Sequence, residues 1–489
     1  MGRKLKDLTP WLLSFVASFS FILYTLTTGE LGFPLDDAWI HQTYARNLIR
    51  YREWAYNPGH PSAGSTSPLW TVLISFAYLT GIDFKAWTFA LGIAFFGATA
   101  WMAGRLVANL GWEREKAFLT ACFCALEWHM VWASVSGMEI PFFTFLSILS
   151  LTLFLEGWPF QGRSPLRMAV MGIILGLLCL VRPEGLLLGA LLFLASFSKS
   201  PLKALAFAVG MAFCLGAYGA FNFHLSGNPF PNTFYAKAAE YREIVEKLPL
   251  WVRFWRVVFP TLVGGQILLL PGLLVGIKKA LSSEGKAFKA VPILWLFLHF
   301  LAYALRLPVG YQHGRYAMPL IPILIALGVP GTIELWKRTP RLLAKAWAIS
   351  TLLLLLAFLF LGAKAYATDV GIIQCEMVNV ARWISENTPP GSLIAVHDIG
   401  AIGYFSGREI LDLAGLVSPE VIPFIRDEKR LKEFMLSRGA DYFVTFPSWY
   451  PELAEDPTFV PLYSTGCGLT LKAGSDNIVV YGVQKALSK

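Results

Sequence analysis

Charge is what this 489-residue sequence is short of: only 15% of its residues are Asp, Glu, Lys or Arg, where an ordinary soluble domain carries about a quarter. With 55% hydrophobic residues and a mean hydropathy of +0.55, that shortage excludes a conventional soluble globular protein. Cysteine is scarce too. Six are present, with no CxxC pair and no Cys/His spacing of the zinc type, which excludes a zinc ribbon and a thioredoxin-like redox centre. Cys122, Cys124, Cys179 and Cys214 fall in apolar runs and read as packing residues. Cys375 and Cys467 fall in a more polar stretch and could pair in an oxidising compartment. Internal repeats and low-complexity segments are lacking. So is a cleavable leader: the apolar run Trp11–Leu26 has no small-residue cleavage site and reads as a signal anchor.

What is present is a succession of apolar runs. They have the length, about 17–25 residues, needed to cross a hydrocarbon core of about 30 Å. Spans are expected at 10–28, 86–108, 117–134, 140–157, 168–182, 184–198, 202–223, 255–277, 290–306, 316–335 and 343–364. The net charge of +9 does not point to nucleic acid, because the basic residues flank these runs, where insertion and anionic headgroups account for them. With Arg3, Lys4 and Lys6 cytoplasmic, strict alternation places five short loops inside. They carry Arg114/Lys116, Arg163/Arg167, Lys199/Lys203, Lys278/Lys279/Lys286/Lys289 and Lys337/Arg338/Arg341/Lys345. Every one is basic, as the positive-inside rule requires. Counting the apolar segment 68–81 as a further span would invert all of them. It is therefore expected to be a re-entrant or surface-lying helix of a long first outer loop, 29–85.

From residue 365 the composition changes. SLIAVHDIG, REILDLAG, DYFVTF and NIVVYGV read as strands. QCEMVNVARWISENTPPG and RDEKRLKEFMLSRGA read as helices. The expected fold is a membrane all-α bundle of about eleven transmembrane helices, residues 1–364, followed by an extracytoplasmic α/β domain, residues 365–489.

The polar residues that could carry chemistry gather at the outer junctions. Asp36 and Asp37 follow Pro34 and open a helix. Carboxylates suit a helix N-terminus, but one would serve; two adjacent acids repel, and such a pair can keep one group ionised as a base. His41 and Arg46 follow on the same helix. Arg182–Pro183–Glu184 and Glu139 interrupt apolar runs at outer junctions; they either pair with one another or line a cavity opening outward. The loops NPFPNTFYAK and GYQHGRYAMP add Asn232, Tyr235, Lys237, Tyr311, His313 and Arg315. Cations at that depth either snorkel to headgroups or bind a substrate phosphate. In the C-terminal domain, His397, Asp398 and Asp412 lie near strand ends. Such positions often bind ligands in α/β folds; the other reading is that Asp398 caps the helix starting at Ile399.

The order of these features resembles the GT-C superfamily of membrane glycosyltransferases. DDAWIHQTYARNL followed by YNPGHPSAGSTSPLW, with SGMEIPFF, LVRPEGLLL, NPFPNTFYAK and GRYAMPLIP, is similar to the branch that uses polyprenyl-phosphate sugars. Within it, the nearest resemblance is to terminal arabinofuranosyltransferase-like proteins of bacterial envelopes. It covers nearly the whole membrane part. The block GHPSAGSTSP departs from relatives that carry an acidic residue before the Gly, which bears on which sugars are recognised.

The resemblance implies an inverting transfer of sugar from a polyprenyl-phosphate donor to a glycan, glycolipid or protein acceptor on the outer face. Asp36, the first acid of the pair, is the expected general base, with Asp37 positioning the acceptor. Lys237, His313 and Arg315 are expected to meet the charge growing on the phosphate. A divalent cation (Mg, Mn or Ca) held by Asp36 and Asp37 stays open. The rival readings are a transporter or flippase of a lipid-linked sugar, and a non-catalytic envelope protein that binds glycolipid. Paired broken helices and internal symmetry would mark the transporter; neither is seen.

Overall fold

The computed structural model describes residues 3–162 and 164–484; Arg163, counted above in a basic loop, lies outside the described residues. The chain forms two compact units. One comprises Met1–Tyr24, Thr88–Tyr218 and Glu243–Lys364, the other Thr25–Trp87, Gly219–Arg242 and Ala365–Lys489.

Seven helices among the described residues are long and apolar enough to cross a membrane: Leu5–Thr28, Phe84–Asn109, Pro201–Ser226, Gly265–Ser282, Lys286–Arg306, Gln312–Arg338 and Arg341–Asn387. They make the chain an integral membrane protein. Ile140–Leu155, Leu166–Val181 and Gly185–Phe197 are shorter apolar helices at expected spans.

Two expected spans are not continuous. The 117–134 run divides into Arg114–Ala125 and Trp128–Ser134, because Glu127 turns its carboxylate onto the Met130 N–H at 3.0 Å and caps a new helix. The 255–277 run breaks into Leu250–Val258, two tight turns and Leu270–Ser282. Pro260 and Gly264, at φ +140°, supply backbone that an α-helix cannot continue through. In the first unit the Leu270–Ser282 helix lies flush against Ile321–Arg338. A Cβ at Gly272 would come within 2.1 Å of the Thr332 hydroxyl, so a glycine is needed for that approach.

The second unit contains the Asp36–Arg50 helix, the Pro68–Thr80 helix and a five-stranded sheet. At about 20 Å, thirteen residues of helix are too short for an upright span; Gly81 ends the Pro68–Thr80 helix at φ +79°. Between these two helices, β1 (Ala55–Asn57) and β2 (His60–Pro61) form a small hairpin. Its turn, Pro58–Gly59, has Gly59 at φ +84°, as a type II turn requires.

The sheet is built from β3 (Leu393–Val396), β4 (Glu409–Asp412), β5 (Tyr442–Thr445), β6 (Phe459–Ser464) and β7 (Val479–Val483) in the order β4-β3-β5-β7-β6. β3, β4 and β5 are parallel, and β7 and β6 join antiparallel. Four of these strands occur where the sequence predicts them. β6 was not expected: it contains Pro461 and a register shift beside it, and only an edge position tolerates both. The 365 boundary falls within a continuous helix, since Arg341–Ile373 runs on through Gln374–Val378 into Asn379–Asn387.

Asn57 extends the parallel edge of this sheet. Its side-chain amide donates to the Ile410 carbonyl at 2.8 Å and its amide oxygen accepts the Ile410 N–H at 3.1 Å. The NPG block therefore grips the C-terminal sheet. Cys375 and Cys467 are joined as a disulfide. Beside it, the buried Glu376 carboxylate accepts from the Thr465 hydroxyl, the Asn477 amide and the Ile478 N–H.

Candidate functional site

Asp36 and Asp37 both open the Asp36–Arg50 helix, but their surroundings are opposite. The Asp36 side chain is buried, and each carboxylate oxygen takes a backbone proton: Oδ2 from the Gly400 N–H at 2.6 Å and Oδ1 from the Ala401 N–H at 2.7 Å. Asp36 thus caps the Gly400–Phe405 helix from 364 residues away. This corrects the expectation that Asp398 caps that helix. A side chain at position 400 would meet the Asp36 backbone oxygen at 2.0 Å, so only glycine admits the approach. Burial pushes the Asp36 carboxyl up to about 7; the two N–H donors oppose this rise and the Asp37 charge adds to it.

Asp37 keeps 34% of its side chain exposed, and its Oδ2 lies 3.8 Å from the Lys237 ammonium. Lys237 projects from the Asn232–Glu240 helix. That helix is fixed by Asn232, whose N–H donates to the Ala63 carbonyl at 3.0 Å and whose amide donates to the Leu416 carbonyl at 3.2 Å. Thr233 bonds the Gly64 carbonyl at 2.9 Å. The PSAGSTSP segment is therefore the seat on which Lys237 is aimed. Tyr235 is half-buried and packs edge-on to Phe234.

His41 and Arg46 have definite partners in this unit. His41 Nδ1 lies 3.1 Å from the Thr71 hydroxyl, tying the acidic helix to Pro68–Thr80. Arg46 donates to the Tyr404 carbonyl at 2.7 Å and stacks on the Tyr404 ring at 4.6 Å. Both orient elements around the acid pair.

The C-terminal part adds charged neighbours. Burial raises the half-buried Asp398 carboxyl well above its ordinary value, and Asp36, Asp37 and Glu240 add to the rise. Burial would also raise Glu240, but His397 and Arg426 outweigh it and hold that carboxyl below its usual range. His397 Nδ1 meets the Tyr450 hydroxyl at 2.7 Å. Asp412 accepts the Ala414 and Val417 N–H groups, each at 2.7 Å, and shapes a loop.

In the first unit, Arg182, Glu139 and Glu184 form one network. The guanidinium reaches Glu139 at 3.0 Å, Glu184 at 3.0 Å and the Tyr303 hydroxyl at 3.0 Å, with Tyr316 beneath it at 5.2 Å. Of the two expectations for these residues, mutual pairing is what the geometry shows. Arg315 is buried and donates to the Tyr316 hydroxyl at 3.0 Å. His313, at φ +59°, presents its ring to Trp128 and Trp132, each at 5.3 Å. Tyr311 lies edge-on to Tyr316.

One polar cluster in this unit escaped the sequence reading. Glu127, His129 and Gln266 are buried together, with His129 Nδ1 2.6 Å from Glu127 and the Gln266 amide 3.2 Å from Glu127. The available signal was a Glu and a His inside an expected span, which a bilayer core disfavours.

Among the described residues, no group of three or more His, Cys, Asp and Glu side chains is arranged to hold a metal ion. A cation at Asp36 would share oxygens that already accept the Gly400 and Ala401 N–H groups.

The fold is that of GT-C membrane glycosyltransferases. An Archaeoglobus fulgidus oligosaccharyltransferase, solved with Zn and sulfate, has a TM-score of 0.60 at 12% identity over 89% of this chain and 68% of its own. ArnT from Cupriavidus metallidurans, bound to undecaprenyl phosphate, matches at 0.56 and 15% identity over 98% of both chains. The mycobacterial arabinofuranosyltransferase AftD matches at 0.55 and 15% identity; 99% of this chain covers 40% of that one. Residues 364–481 match a family described as Domain of unknown function (DUF8728). By sequence, no protein of curated function matches the chain.

Proposed function

We propose that this chain is an inverting glycosyltransferase that moves a sugar from a polyprenyl-phosphate donor to a hydroxyl acceptor at the outer membrane face, with Asp37 as general base. The observation that carries the assignment is the contrast between the two acids. Asp36 is buried with each oxygen held by a backbone N–H group, which keeps it from an acceptor hydroxyl. A carboxyl titrating near 7 suits a base in principle, but reach to the substrate comes before pKa. Asp37 has exposed surface, and the Lys237 ammonium stands 3.8 Å from it.

In this reading the acceptor hydroxyl attacks the anomeric carbon while Asp37 takes its proton. The bond from that carbon to the phosphate oxygen breaks, and its electron pair leaves on the phosphate. The leaving group needs positive charge rather than an acid. Lys237, beside Asp37 in the second unit, is the candidate for that role. Asp36, His41 and Arg46 are positioning residues that hold the start of the acidic helix. Undecaprenyl phosphate in ArnT and dolichol phosphate in the archaeal enzyme support a polyprenyl-phosphate donor by likeness of fold. The Cys375–Cys467 disulfide supports an oxidising, extracytoplasmic setting for the C-terminal segment.

The test is transfer of radiolabelled sugar from polyprenyl phosphate by Asp37→Asn and Asp36→Asn proteins. Asp37→Asn should lose transfer by a factor on the order of 10²–10⁴, at unchanged thermal stability. Wild-type transfer by that variant would sink the base assignment. Sugar-phosphate binding without transfer by the wild-type protein would favour a carrier or a glycolipid-binding protein.

A further inference from the structure

A cleft of about 130 Å³ opens in the first unit where helix ends and turns meet, lined by Asn109, Phe154, Phe160, Lys199, Phe288 and Lys289. It is separate from the Arg182 network. The Ile140–Leu155 helix starts beside Glu139 and ends at the cleft, a length of about 24 Å.

Three phenylalanines wall the cleft and two lysines supply its charge. The Lys199 ammonium stands over the Phe160 ring at 4.4 Å and the Phe288 ring at 5.3 Å, contacts that hold a cation in place. The Lys289 ammonium donates to the Ser283 hydroxyl at 3.0 Å. Three other cations near these turns have partners of their own. Lys116 pairs with Glu334 at 2.6 Å and Glu113 at 3.0 Å. Arg105 pairs with Glu156 at 2.5 Å. Lys203 donates to the Phe160 and Gly162 carbonyls at 2.8 and 3.0 Å. Among the described residues no carboxylate lines the cleft or pairs with Lys199 or Lys289. Two lysines on the lining of one small cleft favour an anion there by simple Coulomb attraction.

We propose that this cleft is a second binding site, for the phosphate of an anionic headgroup, with Lys199 and Lys289 as its cations and the phenylalanines covering the adjoining apolar part. Anionic phospholipid and free phosphate share that chemistry. Helix ends at a membrane boundary favour the lipid, since basic pockets between membrane helices take headgroups of this kind.

The test uses the full-length protein, delipidated in neutral detergent, with native mass spectrometry to count adducts and thermal shift to read affinity. The probes are phosphatidylglycerol, phosphatidylcholine and inorganic phosphate. Phosphatidylglycerol should bind the wild type at least tenfold more tightly than the Lys199→Ala/Lys289→Ala variant, and phosphatidylcholine should bind neither. Lys199→Arg/Lys289→Arg should retain binding. Displacement of the lipid by inorganic phosphate would assign the site to the phosphate group itself; failure to displace it would assign the site to the intact lipid. Equal phosphatidylglycerol affinity in the Ala variant, or equal binding of phosphatidylcholine, would overturn the site. So would an equal loss in Arg341→Ala/Lys345→Ala, which removes charge from a basic loop away from the cleft.

Discussion

The Arg182 network of the first unit and the acid pair of the second are both groups of charges where charge is costly, yet they resolve the cost differently. Arg182 divides its donors among Glu139, Glu184 and Tyr303, so its charge is matched locally and it braces helices. In the acid pair Asp36 is matched that way by backbone N–H groups. Asp36 is enclosed by Gly400 and Ala401, while Asp37 keeps open surface and a cation at 3.8 Å. A charge enclosed by protein partners holds structure; a charge with a reachable face can act on something else.

The sharpest way to break that comparison is to exchange the roles. Asp37→Asn should lower transfer by a factor on the order of 10²–10⁴ and leave the melting temperature unchanged. Arg182→Ala should do the reverse, costing about 3–5 kcal/mol because the buried Glu139 and the part-buried Glu184 lose their cation; yield and thermal unfolding in detergent read this. If Arg182→Ala folded normally and lost only transfer, the network would belong to a substrate site. Cys375→Ser should cost about 2–4 kcal/mol, read as a lower melting temperature that reducing agent reproduces in the wild type.

The smallest effect is a pH slope. The Asp36 carboxyl titrates near 7 in the fold against 3.8 as its ordinary value. Between those values the folded state binds more protons than the unfolded one, so stability falls as pH rises through this window and levels above it. In Asp36→Asn that segment of the slope should flatten. An unchanged slope would show that Asp36 titrates as an ordinary carboxyl and is less enclosed than its contacts with Gly400 and Ala401 indicate.

Much of the fold was legible because it follows from local rules. Apolar run length, loop charge and period-2 patterning located most long helices and four of the five sheet strands. The failures have physical causes. Glu127 and Gly264 interrupt runs whose composition alone reads as continuous, and β6 hides behind Pro461 at an edge. At the candidate site, the sequence identified the residues but not their partners. Asp36 and Asp37 are indistinguishable as neighbours in a chain, and position in the pair does not tell which of them is enclosed. His41 and Arg46 looked like a polar face; Thr71 and Tyr404 occupy them.

By itself, then, the sequence determined a membrane chain with an acidic pair in a long loop, basic short loops and a C-terminal α/β segment. These depend on residue type and spacing, which solvation free energy reads directly. Tertiary structure alone decided which acid is enclosed and which is open, that a helix hundreds of residues away is capped by Asp36, and that Lys237 stands beside Asp37. Those outcomes rest on contacts between segments far apart in the chain, where a glycine at 400 or a turn at Pro58–Gly59 matters only once its partner has arrived.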